Sequence, residues 1–235
     1  MNLGRLFIPS IQAFLDLLPI IVTESTAIEG SSLTLEETEK LFSRGELIDG
    51  LPVIDQYMNL DLMAAYRCAL TKAQAKEAIT VETLIEVASL VMRNTGSIYH
   101  TALGSFSSAK GELRRFNVTA GMDGPSYMSF TKVPMKLDQF CENLNLARKT
   151  LNTLSVEERY DLSFDVHYHL VTIHPWADGN GRMARLLMHW LQCEAGIAPT
   201  ILRKEDKDKY VKALSKTRQM DDLRIFRQFM RKISN

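Results

Sequence analysis

Apolar residues follow the 3.6-residue period of amphipathic helices over most of this chain. Polar stretches with glycine or proline separate the periodic runs, and these breaks give the predicted helix ends. The predicted helices cover about residues 19–29, 34–45, 53–77, 80–93, 134–151 and 155–173, then one after residue 181 that ends before Gly196, and two in the tail 204–235. The pattern therefore predicts a mainly α-helical protein.

Local signals support two of these helix starts. Thr34 with Glu37, and Ser155 with Glu158, have the spacing of a capping box. The longest predicted helix, 53–77, also has a clear apolar period. Its predicted core-facing residues are Ile54, Tyr57, Met58, Leu62, Ala65 and Tyr66.

One segment departs from the helical period. Short runs of strand-forming residues at 116–119 and 127–130 flank a turn-rich stretch, 120–126. This pattern predicts a small β-hairpin within 114–132. Residues 95–113 are less regular, and we predict no helix or strand there.

Length and composition indicate one compact domain. The chain has 235 residues, of which 46% are hydrophobic, and this is enough for a sizeable core. We expect an N-terminal segment, 1–45, with the helix at about 19–29, beside a larger core, 46–235. Basic and acidic residues number 28 each, so the charge gives no support for nucleic-acid binding.

The termini and the cysteines favour a cytoplasmic protein without a membrane partner. The apolar N-terminal run, 6–22, is interrupted by prolines and polar residues, and it lacks a signal-peptide cleavage site. The three cysteines are far apart and fit neither a disulfide framework nor a zinc site. We expect reduced thiols at Cys68, Cys141 and Cys193.

The chain concentrates its chemistry in residues 174–185, which read HPWADGNGRMAR. An apolar-periodic run follows, so the two glycines lie in a turn that opens a helix. A helix N-terminus presents unpaired N–H groups and a partial positive charge, and these bind anions. Arg182 and Arg185 are three residues apart and share one face of the first turn. Two guanidinium groups at such a turn indicate a polyphosphate ligand.

Asp178 and His174 add to this picture. A carboxylate beside a polyphosphate would be repelled unless a cation lay between them, and Mg²⁺ is commonly held by one carboxylate plus phosphates. His174 is close enough to Asp178 in the chain to act as a base at the same phosphate. The residues indicate a magnesium nucleotide beside a histidine base. The plain alternative is a glycine-rich loop between helices with surface arginines.

These residues resemble the signature of the Fic family, His-Pro-Phe-x-Asp/Glu-Gly-Asn-Gly-Arg-x-x-Arg. Trp176 stands where the family usually has phenylalanine, so an apolar anchor of larger volume is expected there. The resemblance covers most of the chain, from about Ser25 to the C-terminal helices. It implies a Fic-type helical bundle with a small β-hairpin flap.

The resemblance implies adenylylation: AMP moves from ATP to a Ser, Thr or Tyr hydroxyl of a protein, and pyrophosphate leaves. His174 is then the general base, and Asp178 holds the Mg²⁺ that bridges the α- and β-phosphates. The nucleotide contacts are assigned to Gly179, Asn180, Gly181, Arg182 and Arg185. Within that set, Asn180 is expected at the α-phosphate, Arg182 at the β-phosphate and Arg185 at the γ-phosphate.

A second motif strengthens the resemblance. Ser25 and Glu29 are four residues apart on the predicted helix at 19–29 and share a face. Residues 25–30 match the family's inhibitory pattern, Ser/Thr-x-x-x-Glu-Gly/Asn. The resemblance implies that Glu29 pairs with Arg185 in place of a phosphate oxygen. ATP would then bind productively only when this pair opens.

The predicted hairpin at 114–132 corresponds to a flap that, in the family, is thought to hold the target protein by strand addition. A plain connecting hairpin is the alternative. Three other functions stay open: transfer from another donor, hydrolytic removal of AMP by the same site, and a nucleotide-binding regulatory module that turns over nothing. The target protein, self-modification of the chain and the oligomeric state also stay open.

Overall fold

The computed structural model describes residues 11–120 and 124–234, and it is mainly helical. The start of the apolar N-terminal run (1–10) and part of the predicted hairpin turn (121–123) lie outside the described residues. Within the described ranges the helices are α1 (Ile11–Asp16), α2 (Leu18–Ile28), α3 (Leu35–Arg44), α4 (Val53–Gln74), α5 (Val81–Val91), α6 (Val133–Arg148), α7 (Val156–Ile173), α8 (Asn180–Glu194), α9 (Lys207–Met220) and α10 (Leu223–Ile233).

The predicted helices are confirmed, with ends that agree to within a few residues. Both capping boxes form: Thr34 Oγ1 accepts the Glu37 N–H at 3.3 Å, and Ser155 Oγ accepts the Glu158 N–H at 3.3 Å. Gly45 ends α3 with a φ of 73°, which glycine adopts at little cost. Each N-cap stabilises its helix by about 1 kcal/mol. Local sequence therefore determines where α3 and α7 begin.

Helix α8 runs through the middle of the fold, where it packs on α7 and α4. Its side chains are buried on all sides, and Leu187, Met188 and Trp190 have no exposed surface. A helix that buries its whole circumference is stabilised by tertiary packing rather than by one amphipathic face. The signature residues at its N-terminus are therefore positioned by the centre of the protein.

Helix α4 buries a different face from the predicted one over its first half. The Ile54 side chain is exposed, whereas Gln56 and Asn59 are fully buried. Gln56 Oε1 accepts the Ile48 N–H at 2.6 Å, and Asn59 Oδ1 accepts the Thr26 hydroxyl at 3.0 Å. These two side-chain amides form hydrogen bonds with residues outside α4, so they can be buried without loss of stability. The apolar period of a single helix does not predict such buried polar residues. The second half of the predicted face is confirmed by the burial of Leu62, Ala65 and Tyr66.

The two-stranded sheet lies earlier in the chain than predicted. Strands β1 (Ile98–Thr101) and β2 (Gly104–Ser107) pair antiparallel, in a region where the pattern predicts no regular element. Tyr99 stacks on Phe106 across the pair, with ring centroids 5.0 Å apart. Strands of only four residues show little alternation of polar and apolar residues. The packing of two aromatic rings across the strands also leaves no periodic pattern in the sequence, so the sequence does not predict this sheet.

The segment 114–132, predicted as the hairpin, is called the flap here, and its described residues, 114–120 and 124–132, form two arms. Among its described residues, Thr119 and Ser126 form a single antiparallel bridge. The Phe130 N–H donates to the Asn117 side chain at 3.0 Å, so a side chain takes the place of a backbone partner. The predicted antiparallel approach of the two runs is therefore confirmed at this bridge, where the Tyr127 N–H also donates to Val118 O at 2.9 Å, but regular strands do not form among the described residues of the flap.

Within the described ranges, no helix is both long and apolar enough to cross a bilayer. The cysteines Cys68, Cys141 and Cys193 are free thiols, as predicted. Burial raises the pKa of Cys141 to about 12. This thiol is therefore protonated at neutral pH and unreactive as a nucleophile.

A buried ion pair joins α6 to α8. Arg148 Nε and Nη2 donate to the two carboxylate oxygens of Glu194 at 2.9 and 3.0 Å, and each side chain is only 7% exposed. Replacing Arg148 with Met keeps the apolar stem but leaves the Glu194 carboxylate buried without its partner. We expect the free energy of unfolding to fall by about 3–5 kcal/mol. Urea denaturation followed by circular dichroism measures this change.

The matched control is Arg44→Met, because Arg44 is exposed in the last turn of α3. We expect this surface substitution to change the free energy of unfolding by less than about 0.5 kcal/mol. A loss in Arg148→Met no larger than the loss in the control would show that the buried pair does not stabilise the fold.

Candidate active site

The loop 174–179 joins α7 to α8 and carries the residues with the richest chemistry. His174 ends α7 in the left-handed region, with φ 52° and ψ 63°, and Gly179 precedes α8 with a φ of 80°. Glycine adopts such angles readily, whereas a histidine does so when its surroundings determine the conformation. The loop therefore begins and ends at a left-handed residue.

Trp176 and Asn180 hold the loop in this shape. The Trp176 side chain is buried, and its Nε1–H donates to Gly111 O at 2.9 Å. Asn180 Oδ1 accepts the Trp176 N–H at 3.1 Å, while Asn180 Nδ2 donates to Trp176 O at 2.9 Å. Because the loop backbone engages both polar atoms of this side chain, the part of Asn180 that stays available to a ligand is its backbone N–H. Trp176 keeps the expected role of apolar anchor.

The start of α8 presents free backbone N–H groups. The backbone N–H groups of residues 180–182 precede the first hydrogen bond of this helix and project from its N-terminus. The lack of a side chain at Gly181 leaves room for two polar side-chain ends, because a Cβ there would lie 2.6 Å from Glu29 Oε1 and 3.1 Å from Arg185 Nη1. The turn is thus open enough for an oxygen atom to approach the backbone closely, and in this structure that oxygen belongs to Glu29.

Arg185 is buried and bonds to α2. Its Nε donates to Ser25 Oγ at 2.8 Å, and its Nη2 donates to Ser25 O at 3.0 Å and to Glu29 Oε1 at 2.5 Å. Its Nη1 is buried and has no hydrogen-bond partner among the described residues. The structure therefore brings Ser25, Glu29 and Arg185 together, although 156 positions separate Glu29 from Arg185.

Electrostatics keep this pair charged. Burial by itself would raise the pKa of Glu29 and lower that of Arg185. Their mutual attraction outweighs burial, so the pKa of Glu29 lies below its ordinary value and that of Arg185 lies above. A carboxyl group with a lowered pKa stays ionised until the pH falls below its ordinary range. Mild acid therefore does not break the pair.

Arg182 is the second buried arginine of the turn. Its Nη2 lies 3.0 Å from Met92 Sδ and 3.6 Å from Asp178 Oδ2, and its Nε has no hydrogen-bond partner in the described part of the chain. Burial lowers the pKa of Arg182, but a guanidinium remains charged in proteins. Two buried cations with unused N–H groups at a helix N-terminus are suited to bind a polyphosphate.

The His174 ring lies against Tyr127 of the flap. The ring centroids are 3.8 Å apart and the planes differ by 19°. His174 Nδ1 lies 3.3 Å from Val171 O, so a proton on Nδ1 is donated there and Nε2 becomes the acceptor. Burial lowers the pKa of His174 to about 4. The ring is therefore neutral at physiological pH and able to accept a proton.

Asp178 is the exposed acid of the loop. Its side chain is 59% exposed, its Oδ1 accepts the Gly179 N–H at 2.6 Å, and its Oδ2 faces Arg182. Carboxylate oxygens are the ligands that Mg²⁺ prefers, usually together with substrate phosphates. Within the described ranges, no cluster of three His, Cys, Asp or Glu side chains could hold a metal ion. The donor set at Asp178 therefore fits Mg²⁺ only when phosphate oxygens complete the site.

Two residues of this site were not found by sequence reasoning. Arg114 is followed by a second arginine and shows no apolar period, so it reads as a surface residue, yet it is buried and donates to His174 O at 2.7 Å. Tyr127 is predicted only as a strand residue of the flap. Both act through contacts with a segment about fifty positions away, and a single sequence carries no signal for such contacts.

The chain resembles known proteins over nearly its whole length. Residues 78–192 match the Fic/DOC family. The chain is 29% identical over 218 residues to protein adenylyltransferase fic-1 of Caenorhabditis elegans, and 28% identical over 212 residues to protein adenylyltransferase Fic of Nematostella vectensis. These alignments cover 92% and 89% of this chain but 39% and 45% of the relatives. The chain therefore spans less than half the length of these curated relatives.

Solved structures give the same result for the fold. Fic-1 from C. elegans superposes with a TM-score of 0.72 at 25% identity, covering 99% of this chain and 64% of that one. A Fic domain containing signaling protein from Bacteroides thetaiotaomicron superposes with a TM-score of 0.77 at 21% identity, covering 95% and 85%. The second likeness concerns the fold alone. The predicted helical bundle is confirmed by both.

Proposed function

Because this chain belongs to the Fic/DOC family, we propose that it transfers AMP from ATP to a Ser, Thr or Tyr hydroxyl of a protein. One observation carries the proposal: at the start of α8, two buried arginines, Arg182 and Arg185, have unused N–H groups, and the loop that leads into this helix begins at the neutral His174. The relatives in C. elegans and N. vectensis are named protein adenylyltransferases, which supports the same reaction here.

In the proposed reaction, His174 Nε2 takes the proton of the incoming hydroxyl while the hydroxyl oxygen attacks the α-phosphorus. The bond between the α-phosphorus and the oxygen that bridges to the β-phosphate breaks, and pyrophosphate leaves with the bonding electrons. Help from a general base contributes about 10²–10⁴-fold to such a step. Bound phosphates favour the protonated ring, so they raise the pKa of His174 from about 4 toward the working pH.

The phosphates are assigned to the N-terminus of α8. The backbone N–H groups of residues 180–182 face the α-phosphate oxygens, on which charge develops in the transition state. Gly179 and Gly181 let the backbone come close, and Asn180 contributes its N–H rather than its side chain. Arg182 binds the β-phosphate and Arg185 the γ-phosphate. These donors belong to a buried helix, so they are in position before ATP arrives.

Asp178 is the proposed magnesium ligand. Its carboxylate is oriented by the Gly179 N–H and remains exposed beside the anion-binding turn. Mg²⁺ bound there supplies charge neutralisation on the phosphates and a template for their orientation. Asp178 also keeps Arg182 in place through the 3.6 Å approach of its second oxygen.

Glu29 is proposed to inhibit the reaction from within the chain. Its carboxylate lies 2.5 Å from Arg185 Nη2 and so occupies a guanidinium N–H that we assign to a γ-phosphate oxygen. Ser25, on the same helix α2, accepts from the Nε of Arg185 and holds the guanidinium toward α2. ATP then binds with its γ-phosphate displaced, or unproductively, until the Glu29 carboxylate leaves.

The flap is proposed to hold the target protein by strand addition. Support comes from the Tyr127 ring, which packs on His174 at 3.8 Å and so places this arm of the flap beside the base. Main-chain pairing fixes the position of a peptide without demanding a sequence. A target hydroxyl carried by a paired segment would then meet the α-phosphate. The alternative, a flap that only connects β2 to α6, predicts no dependence of target modification on flap residues.

Two labelled forms of ATP test the reaction type. The Glu29→Gly variant is incubated with Mg²⁺ and either [α-³²P]ATP or [γ-³²P]ATP, with the chain itself and a cell lysate as acceptors. We expect protein label from the α form and none from the γ form, because AMP transfer retains the α-phosphorus and releases pyrophosphate. Label from the γ form alone would indicate phosphoryl transfer instead.

The same experiment separates the remaining alternatives. Removal of preformed α label by the wild-type protein would support hydrolytic AMP removal at this site, with Glu29 positioning a water molecule. Absence of label from both forms, with ATP binding retained in calorimetry, would contradict the proposal and favour another donor or a regulatory module without turnover.

A further inference from the structure

We propose that Arg114 is a positioning residue that holds the flap on the loop 174–179 and thereby keeps the His174 ring against Tyr127. The expected kinetic effect of this residue rests on the proposed function, in which His174 is the base. The structural part of the proposal concerns the flap and the loop alone.

The side chain of Arg114 bonds to three separate backbone segments. Its Nε donates to His174 O at 2.7 Å, its Nη1 donates to Phe116 O at 2.7 Å, and its Nη2 donates to Met128 O. The Arg114 N–H adds a bond to Pro175 O at 3.0 Å. One residue therefore ties both arms of the flap to the loop that carries the base.

Arg114 has no acidic partner to explain its burial. Its side chain is 2% exposed, and it forms no ion pair with any of the described acidic residues. Burial lowers the pKa of Arg114, which reflects the unfavourable transfer of its charge out of water. A buried guanidinium is stable only when its donors are satisfied, and here backbone carbonyls alone satisfy them. Lysine could not replace it, because one ammonium cannot reach three divergent carbonyls in one plane.

The position of His174 depends on these bonds. The residue has a φ of 52°, which a non-glycine residue holds only when neighbours determine it, and Arg114 bonds to its carbonyl. In the flap, Tyr127 is followed by Met128, whose carbonyl accepts a hydrogen bond from the same guanidinium. Arg114 thus bonds to the backbone next to both partners of the ring stack. Arg218 also contacts the Tyr127 ring, at 5.5 Å, but among these two arginines only Arg114 bonds to the His174 backbone as well, so its loss is expected to loosen the stack.

The ring stack provides a readout that needs no catalysis. Histidine labelled with ¹³C at Cε1 gives one NMR signal for each of the five histidines, and the signal missing in His174→Ala identifies His174. The nearby Tyr127 ring shifts this signal, and Tyr127→Leu gives the value without the stack. We expect Arg114→Met to move the His174 signal to the Tyr127→Leu value, and Arg114→Lys to move it part of the way.

The matched control is Arg115→Met, which removes a neighbouring arginine with one bond to Leu103 O at 3.2 Å but leaves the stack untouched. We expect the wild-type His174 signal in this variant. A wild-type signal in Arg114→Met would overturn the proposal. If Arg114→Met does not fold, the Arg114→Lys protein decides in the same way, and a wild-type signal there overturns the proposal.

Steady-state kinetics in the Glu29→Gly background test whether Arg114 affects AMP transfer. We expect Arg114→Lys to lower kcat roughly tenfold or more and to keep KM for ATP within about twofold, because Arg114 is not assigned to any phosphate contact. A raised KM with unchanged kcat would overturn the positioning role. If none of the proteins transfers AMP, the proposed function fails, and the NMR signals still decide whether Arg114 positions His174.

Discussion

Replacing Glu29 with glycine is expected to raise the initial rate of AMP transfer by about tenfold to a hundredfold. The Glu29 carboxylate bonds to Arg185 Nη2 at 2.5 Å, and a hydrogen bond between charged groups contributes about 1.5–3 kcal/mol. Removing it frees the guanidinium for the γ-phosphate, and each 1.4 kcal/mol corresponds to about a tenfold change. Initial rates of α-label incorporation at fixed ATP and Mg²⁺ concentrations measure the effect.

The variant should fold normally. Glu29 follows the last residue of α2 at the C-cap, and its side chain is one-third exposed. Glycine is well tolerated at the end of a helix. We expect a lower thermal midpoint than in the wild type, because the buried Arg185 loses its carboxylate partner and keeps only its bonds to Ser25.

Two further variants separate the charge of Glu29 from its position. Glu29→Gln keeps the shape and removes the charge, so its rate should lie between those of the wild type and Glu29→Gly. Glu24→Gln is the control on the same helix, because Glu24 Oε2 accepts the Lys204 N–H at 2.8 Å, away from Arg185. It should react at the wild-type rate. Equal rates for wild type and Glu29→Gly at both subsaturating and saturating ATP would rule out inhibition by Glu29.

Replacing His174 with alanine in the Glu29→Gly background is expected to lower the transfer rate by about 10²–10⁴-fold, the usual contribution of a general base. ATP affinity should stay within about twofold, because His174 is not assigned to any phosphate contact. Single-turnover labelling measures the rate, and calorimetry measures the affinity. The control is His169→Ala on α7, whose ring packs on Tyr168 rather than in the site. A His174→Ala protein that transfers AMP at the parent rate would disprove the base assignment.

The pH profile gives a second check on His174. Burial lowers its pKa to about 4, so the ring is neutral, and able to accept a proton, at all pH values well above that. We expect kcat/KM, which reports the free protein, to be flat from about pH 8 down to about pH 5.5 and to fall as the pH drops through about 4. The profile of kcat should fall at a higher pH, because bound phosphates raise the pKa of the ring. A kcat/KM profile that falls near pH 6.5 would show that the ring is not buried as described.

The sequence predicts those parts of the molecule whose causes are local. Capping boxes depend on residues three apart, so the starts of α3 and α7 follow directly from Thr34 and Ser155. The position of the sheet depends on the packing of Tyr99 on Phe106, and the buried face of α4 depends on partners in other elements. Local pattern does not include those partners, which is why the sheet was predicted at the wrong place and the first half of the α4 face was predicted wrongly.

The candidate site divides in the same way. Residues 174–185 are contiguous, so their chemistry and their place at a helix start follow from the sequence. The pairing of Glu29 with Arg185 joins distant positions, and only the family resemblance predicts it. The two bonds of the Asn180 side chain to the Trp176 backbone depend on the shape of the loop, so the sequence alone does not predict them. The contacts of Arg114 depend on the fold of the flap and on the loop 174–179, so only the structure reveals them.

Most of α2 belongs to the protein core. Its buried aliphatic residues are Leu18, Ile21, Val22 and Ile28. Burial stabilises each by about 1.5–3 kcal/mol, so detaching the helix would cost more than about 6 kcal/mol. A ligand with a 10⁴-fold preference for one state supplies only about 5.5 kcal/mol. Release of Arg185 therefore calls for rotation of the Glu29 side chain about a fixed helix, next to Gly30 at φ 111°. Little free energy is needed to rotate one side chain. A single modification or a partner that favours the released state by about 1–3 kcal/mol is enough to shift the equilibrium between paired and released Arg185.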